Sequence, residues 1–225
     1  FVVLAVVGCL ALALYPLVDW YLRSTGVAPP FRFWDWGAYS AAVERWVAGD
    51  PVYVRTESDG YHGGYLYPPI VLLLFAPLDL ALPFADAATA WAVCSVGLLW
   101  LGLQRLAAAL GAPLAPWERV ALLPLVVGFQ PLLLSVKLGQ TAAALGALLT
   151  FAASASLRGR GYASGALTAC CGVVKLPYAP AGAHLLGDRD RFAGAVAAGV
   201  ALVAVSVLVF GVDAHRTYLD VLAWG

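Results

Sequence analysis

The chain has 225 residues, of which 62% are hydrophobic and only 12% charged, and its mean hydropathy is +0.84. A soluble domain would carry about 25% charged residues, so the composition excludes that class and indicates an integral membrane protein. The 13 basic and 13 acidic residues cancel. No net charge therefore favours nucleic acid as a partner.

Long apolar runs predict a polytopic transmembrane helical bundle in the cell membrane. A helix needs about 20 apolar residues to cross the hydrocarbon, and the runs lack the alternation of barrel strands, so the predicted class is all-α. Because the chain starts at Phe1, ends at Trp224-Gly225 and contains no Met, we expect residues 1–225 to be a single transmembrane domain and a piece of a longer chain. About seven spans are predicted, over 1–21, 67–82, 87–106, 117–136, 139–157, 162–186 and 192–212.

A long polar loop, 22–66, separates the first two predicted spans. Loops of this length inside a compact protein are usually functional. Within it, residues 35–48 place aromatic and aliphatic side chains at spacings of three and four, with Glu44 and Arg45 off that side. This pattern predicts an amphipathic helix lying in the membrane interface, and Gly49-Asp50-Pro51 predicts its end.

Asp35 stands among aromatic residues at the start of this predicted helix. A carboxylate there is poorly solvated, and the neighbouring rings could hold a sugar or a lipid-linked substrate. Trp and Tyr also gather at membrane interfaces for purely structural reasons. Asp35 is therefore a candidate catalytic residue, and Tyr39, one turn further on, is a candidate substrate-binding residue.

The distribution of arginines gives a prediction about sidedness. If every predicted run crosses fully, the Asp35 loop shares its face with the basic residues of two short turns, and the positive-inside rule places that face in the cytoplasm. One run could be broken instead, and 117–136, which contains Pro124, Gly128 and Pro131, is the strongest candidate. The basic residues predicted on the Asp35 face include Arg105, Arg119, Arg158 and Arg160; those predicted opposite are Lys137, Arg189 and Arg191.

Further polar groups stand out against the apolar background. Ionisable residues at membrane depth cost at least about 2.5 kcal/mol at a helix centre and usually face a cavity or a partner. Lys175 lies near the middle of a predicted span, and Lys137 near the end of another; each could instead be a snorkelling structural lysine. Gln140 carries an amide that must be hydrogen-bonded. Tyr65 and Tyr67, before Pro68-Pro69, could be interface anchors or could line a pocket.

Metal and cofactor chemistry has no support in the sequence. The three histidines are scattered, and the four cysteines lie in apolar runs without a C-x-x-C pair, so buried thiols acting as small hydrophobes are the simplest interpretation. The prediction is therefore no metal site and no cofactor.

Taken in order, these motifs resemble glycosyltransferase family 87, a family of polytopic membrane enzymes within the GT-C superfamily. The resemblance rests on Asp35-Trp36-x-x-Tyr39, Gly49-Asp50-Pro51-x-Tyr53, Tyr67-Pro68-Pro69 with Pro77-Leu78, Gly139-Gln140, Gly165 and Lys175-x-Pro177. It implies a GT-C-type bundle with more spans than are present here, of which residues 1–225 would be the N-terminal part. The resemblance implies an exoplasmic first loop whose catalytic acid corresponds to Asp35. It also implies a polyprenyl-phosphate sugar donor, typically polyprenyl-phosphate mannose, and a glycan or glycolipid acceptor.

The chemistry of such a transfer follows from its leaving group, without reference to the family. A polyprenyl phosphate is already a good leaving group, so one carboxylate suffices: Asp35 would act as general base on the acceptor hydroxyl, and attack opposite the phosphate would invert the anomeric carbon. Lys175 or an arginine of the loop could neutralise the phosphate. The alternatives are a transporter or lipid-linked sugar flippase subunit, in which Lys175, Lys137 and Gln140 line a path, and a structural membrane subunit.

Overall fold

The structure, a computed structural model, describes residues 33–54 and 64–224. Every regular element in these ranges is helical and none is a strand, which confirms the all-α prediction. The α-helices are α1 (Trp34–Ala48), α2 (Leu72–Ala81), α3 (Phe84–Ala109), α4 (Pro116–Gly128), α5 (Gln130–Leu138), α6 (Ala142–Leu157), α7 (Gly161–Val174) and α8 (Arg189–Trp224), with 3₁₀ segments at Pro69–Val71 and Leu176–Gly187.

Two of these helices, α3 and α8, are long and apolar enough to cross a membrane, and α4 with α5 forms a third candidate that is bent by 69°. The bend confirms the break predicted within 117–136. It follows from Pro131, which lacks the N–H needed to continue the helical hydrogen bonds. The remaining apolar helices are shorter, and the predicted span 1–21 lies outside the described residues. The count of about seven spans is not confirmed.

Helix α1 occupies the predicted position but packs against protein. Its buried side chains include Trp36, Tyr39 and Val43, and its end at Gly49 is as predicted: Gly49 has a φ of 81°, and its N–H donates to the carbonyl of Trp46 at 3.1 Å. A left-handed glycine at this place is a common helix stop. Because the apolar side of α1 is covered by α2 and its neighbours, its contact with the membrane interface stays a prediction.

The predicted span 162–186 is two elements rather than one. Helix α7 ends at Val174; the next residue, Lys175, has an extended backbone (φ −149°, ψ 107°), and a 3₁₀ segment follows. The cause is Pro177, which cannot donate the next helical hydrogen bond. Lys175 therefore lies at a break between two elements and not in the middle of a continuous helix.

Helices α7 and α8 run side by side in the same direction. Their backbones nearly touch: a Cβ atom at Gly165 would collide with the carbonyl of Arg191, and one at Gly194 with the carbonyl of Tyr162. Small residues permit this approach between apolar helices. Since α7 and α8 both begin at one end of the bundle, the 3₁₀ segment between them returns the chain to that end.

The two ends of the bundle differ in charge. At one end, which we call the arginine end, the carbonyl of Arg105 accepts hydrogen bonds from Ser154 Oγ (3.1 Å) and Arg158 Nη2 (3.3 Å). Gly161 lies against Asp188 and Asp190 there. The arginines of this end are Arg105, Arg119, Arg158, Arg160, Arg189 and Arg191. The acids beside them are Glu118, Asp188 and Asp190.

This grouping corrects the face assignment based on seven full crossings. Helix α2 is a ten-residue helix that forms a hairpin with the start of α3, in which the rings of Phe75 and Trp91 lie 5.0 Å apart. The segment 67–82 therefore does not reach the arginine end. With that crossing removed, Arg105, Arg119, Arg158 and Arg160 lie at the end opposite Asp35. Arg189 and Arg191 lie there as well, because the 3₁₀ segment Leu176–Gly187 returns the chain to the start of α7.

Candidate active site

A cavity of about 330 Å³ opens beside α1 at the end of the bundle opposite the arginines; we call it the polar cavity. Five of the seven residues predicted as site residues line it, namely Asp35, Tyr39, Tyr67, Gln140 and Lys175. They come from α1, from the entry to α2 and from the two chain breaks that follow α5 and α7. Residues far apart in sequence are thus brought to one place.

Asp35 lies in the first turn of α1, where the helix dipole favours a negative charge, and it is half-buried. It is the only carboxylate in the lining among the described residues, and Lys175 is the only cation there. Neither side chain makes an ion pair or a hydrogen bond with any residue of 33–54 or 64–224. A carboxylate and an ammonium group therefore both face the cavity without a partner inside these ranges.

The start of α1 is fixed to the end of α5. Phe33 has a φ of 57°, unusual for a residue with a side chain, and its N–H donates to the carbonyl of Lys137 at 2.8 Å. Gly139 follows with a φ of 77°, and a Cβ atom there would lie only 2.8 Å from Cβ of Trp36. Both the backbone angle and the lack of space therefore require glycine.

Gln140 follows this glycine and is held in place from two directions. Its Oε1 accepts a hydrogen bond from Ser135 Oγ at 3.0 Å, and its carbonyl accepts one from Trp91 Nε1 at 3.3 Å. Because Oε1 is occupied, the amide Nε2 is the group that can donate to a ligand. The Gly139-Gln140 motif thus combines a close contact with α1 and an oriented donor.

Tyrosine hydroxyls form a connected network along the wall. The Tyr39 hydroxyl donates to the Tyr67 hydroxyl at 3.1 Å, and the Tyr67 hydroxyl lies 3.2 Å from Thr141 Oγ1. Burial raises the pKa of Tyr39 well above its ordinary value, and the nearby Tyr67 phenol and Asp35 carboxylate raise it further. The Tyr39 phenol is consequently neutral at physiological pH and serves as a hydrogen-bonding group, not as a base.

Two predicted site residues do not reach the polar cavity. Tyr65 is only 1% exposed; its hydroxyl donates to the carbonyl of Pro68 at 2.9 Å, and its ring packs against those of Tyr39 and Tyr67. Burial raises the pKa of Tyr65 as well. Lys137 lies in the last turn of α5 and is absent from the lining. Tyr65 therefore supports the wall from behind, and Lys137 lies outside it.

Sequence reasoning missed other lining residues, above all Tyr218 and Leu222 of α8. Both follow Gly211, beyond the last predicted span. Thr141, which contacts the Tyr67 hydroxyl from behind the lining and is 1% exposed, was missed too, because a single buried threonine carries no signal of its own. The polar cluster Asp213 to Thr217 after the apolar run was the available hint that this segment is not an ordinary continuation of the span.

The sequence also matches a known protein family. The sequence model of glycosyltransferase family 87 matches residues 65–225, most of the chain. The chain belongs to glycosyltransferase family 87. No curated protein and no solved structure matches it.

Membership of family 87 identifies the protein as a glycosyltransferase, and its apolar helices make it a membrane protein. It favours the enzyme over the transporter and structural alternatives. The matched range of the family 87 glycosyltransferase contains Tyr67, Gln140 and Lys175, whereas Asp35 and Tyr39 precede it. The roles of Asp35 and Tyr39 therefore depend on their position in the cavity.

We expect Gly139→Ala to destabilise this family 87 protein more than Gly159→Ala. Gly159 has a similar φ of 71° but open space around it, so its replacement measures only the left-handed strain, about 1–2 kcal/mol. At position 139 the methyl group also meets Trp36, and overpacking adds about 1–3 kcal/mol. The measurement is the free energy of unfolding of the purified protein in detergent. Equal losses for the two variants would contradict the proposed contact.

Proposed function

We propose that the protein transfers mannose from a polyprenyl-phosphate donor to a glycan or glycolipid acceptor, with Asp35 as the general base. The observation that carries this proposal is the presence of one carboxylate, Asp35, and one ammonium group, Lys175, in the lining of a single cavity. The choice of mannose and of the polyprenyl carrier rests on the family resemblance. The residues that line the polar cavity support the proposed chemical roles.

The reaction needs one proton acceptor. The acceptor hydroxyl attacks the anomeric carbon, its proton passes to the Asp35 carboxylate, and the bond from the anomeric carbon to the phosphate oxygen breaks with both electrons leaving on the phosphate. A phosphate monoester anion needs no general acid, so a second carboxylate is not required, in contrast to most glycosidases. A single displacement of this kind inverts the anomeric configuration. General base catalysis contributes typically about 10²–10⁴-fold.

The leaving phosphate requires fixed positive charge, and we assign that task to Lys175. Its position at the break after α7 holds the ammonium-bearing side chain at the cavity. Hydrogen bonds from an ammonium group to phosphate are roughly twice as strong as neutral ones, and preorganised charge stabilises the transition state where negative charge develops. Tyr39, Tyr67 and Gln140 supply neutral donors and acceptors for the sugar hydroxyls.

A second cavity supports a lipid-linked donor. It has a volume of about 430 Å³ and an almost entirely apolar lining from the entry to α2, from α7 and from α8; we call it the apolar cavity. Pro68, Tyr218 and Leu222 line both cavities. An amphiphile with a sugar phosphate at one end and a hydrocarbon chain at the other would place its two ends in two adjoining sites of matching polarity.

The charge distribution supports an exoplasmic active site. Cytoplasmic ends of membrane proteins carry an excess of Lys and Arg, and the arginine end lies opposite the polar cavity. We therefore propose that the arginine end faces the cytoplasm and that Asp35 faces the exoplasmic side. This orientation agrees with the family resemblance, because the segment 67–82 does not cross to the arginine end.

Replacement of the base gives the first test. We expect Asp35→Asn to lower kcat for transfer from polyprenyl-phosphate mannose by about 10²–10⁴-fold, since the amide cannot accept the proton. Glu44→Gln is the matched control, because Glu44 is an exposed carboxylate on the same helix outside the lining, and its rate should stay at the wild-type level. Undiminished transfer by Asp35→Asn would exclude Asp35 as the base.

Replacement of the cation gives the second test. Lys175→Gln should reduce kcat/KM for the donor by about 10- to 100-fold, the range expected for a lost charge-assisted hydrogen bond. Lys175→Arg should retain part of the activity, because it keeps the charge. Lys137→Gln, which removes a lysine outside the lining, should leave kcat/KM unchanged. Equal losses for Lys137→Gln and Lys175→Gln would refute the assignment.

Sidedness can be tested by labelling cysteines in cells. In a variant without native cysteines, Glu44→Cys should react with a membrane-impermeant maleimide in intact cells, whereas Arg160→Cys should react only after permeabilisation. Both positions are exposed and lie at opposite ends of the bundle. The reverse pattern would place Asp35 in the cytoplasm.

A further inference from the structure

Helix α8 bends at Gly211, and residues on both sides of the bend line the apolar cavity. Gly211 has non-helical angles, φ 73° and ψ 170°, and a Cβ atom there would meet nothing within 4 Å. The backbone angle alone therefore requires glycine at this position. Such a bend in a long helix normally has an identifiable cause, and glycine is among the usual ones.

The imidazole of His215 connects the two halves of the bent helix. Nδ1 lies 2.7 Å from the carbonyl oxygen of Gly211, and Nε2 lies 2.8 Å from Ser206 Oγ. A carbonyl only accepts, so Nδ1–H donates to Gly211, and Nε2 accepts the hydroxyl proton of Ser206. Ser206 belongs to the half before the bend and is 3% exposed, whereas His215 belongs to the half after it.

Ser206 and His215 are two polar residues in apolar surroundings. Ser206 and His215 line the apolar cavity, where an unpaired hydroxyl or imidazole would cost free energy. Here each group satisfies the other, and the second ring nitrogen is occupied by the backbone. The Ser206–His215 pair, which we call the strut, therefore links the two halves of α8 across the bend. It leaves no ring nitrogen available for a ligand.

The half of α8 after the bend forms the boundary between the cavities. Tyr218 and Leu222 follow His215 by three and seven residues, on the same side of the helix, and both line the polar and the apolar cavity. Val221 beside them is buried in the core. A change in the angle of the bend would therefore move Tyr218 and Leu222, which the two cavities share.

We propose that His215 is a positioning residue: through its hydrogen bonds to Ser206 and Gly211 it holds Tyr218 and Leu222 where a lipid-linked donor can extend from the polar into the apolar cavity. The inference rests on the proposed function, because it assumes a donor with a long hydrocarbon chain. It assigns His215 no contact with the reacting atoms. His215 affects the binding of the donor's hydrocarbon chain and not the chemical step.

The test compares two donors of different chain length. Ser206→Ala and His215→Phe should raise KM for a long-chain polyprenyl-phosphate donor about tenfold, the effect of a lost hydrogen bond, with kcat unchanged. KM for a short-chain analogue that does not fill the apolar cavity should stay at the wild-type value. Ser206→Thr keeps the hydroxyl and should restore the long-chain KM. Thr217→Val, which removes an exposed bond to the Asp213 carbonyl in the same segment, should behave as wild type.

The outcomes against the inference are distinct. If KM rises equally for both donors, or kcat falls with both, the strut has only a structural role; if neither KM nor kcat changes, it has no role.

Spin labels at Val200→Cys and Leu219→Cys, exposed positions on either side of the bend, add a measurement independent of activity. The distance distribution between them should broaden in Ser206→Ala and His215→Phe. A wild-type protein that uses no polyprenyl donor would refute the proposed function, while an unchanged distance distribution would refute the strut itself.

Discussion

The contact between Trp36 and Gly139 is the constraint on which the rest of the site depends. Trp36 is completely buried, with Tyr39, Phe75 and Trp91 around it, and only a glycine lets the end of α5 approach it. The first helix of the described chain is thereby fixed against the end of the bundle. Asp35 and Tyr39, which flank Trp36 on α1, receive their positions from this contact.

The lining of the polar cavity comes largely from places where helices are interrupted. Gly139 ends α5, Lys175 ends α7, and Gly211 bends α8. Backbone without regular helical hydrogen bonds is tolerated at membrane depth only where it is buried in protein or borders a cavity. At these interruptions the side chains leave the positions that they would have on a continuous helix. Lys175 and the amide of Gln140 can therefore both face the polar cavity.

Part of this arrangement could be predicted from the sequence. The helical class follows from composition, the end of α1 follows from Gly49, and the break in 117–136 follows from its prolines, because each is a local effect of residue type. Asp35, Tyr39, Tyr67, Gln140 and Lys175 were identified as unusual polar groups in apolar surroundings, and they share one cavity. Their roles as base, phosphate ligand and sugar contacts remain proposals.

Other features depend on packing that no local pattern encodes. Tyr65 and Tyr67 are two residues apart and alike in type, yet one is buried behind the wall and the other lines it. Hydropathy indicated a span at 67–82 but could not show that α2 turns back as a hairpin with α3. This hairpin is why Arg105 and Arg119 lie at the end opposite Asp35 and not beside it. The extended backbone at Lys175 arises from a proline two residues later, inside a run apolar enough to suggest one helix.

The parallel arrangement of α7 and α8 has a consequence for biosynthesis. Parallel neighbours cannot be joined by a tight turn, so the chain must complete the intervening return segment before α8 can pack beside α7. The two walls of the cavity, α1 and the last turns of α8, lie near opposite ends of the described sequence and meet only through contacts of long sequence separation, which form late because loop closure precedes them. The polar cavity therefore forms only after the last turns of α8 have been made, and the nascent protein has no complete site while its earlier helices are entering the bilayer.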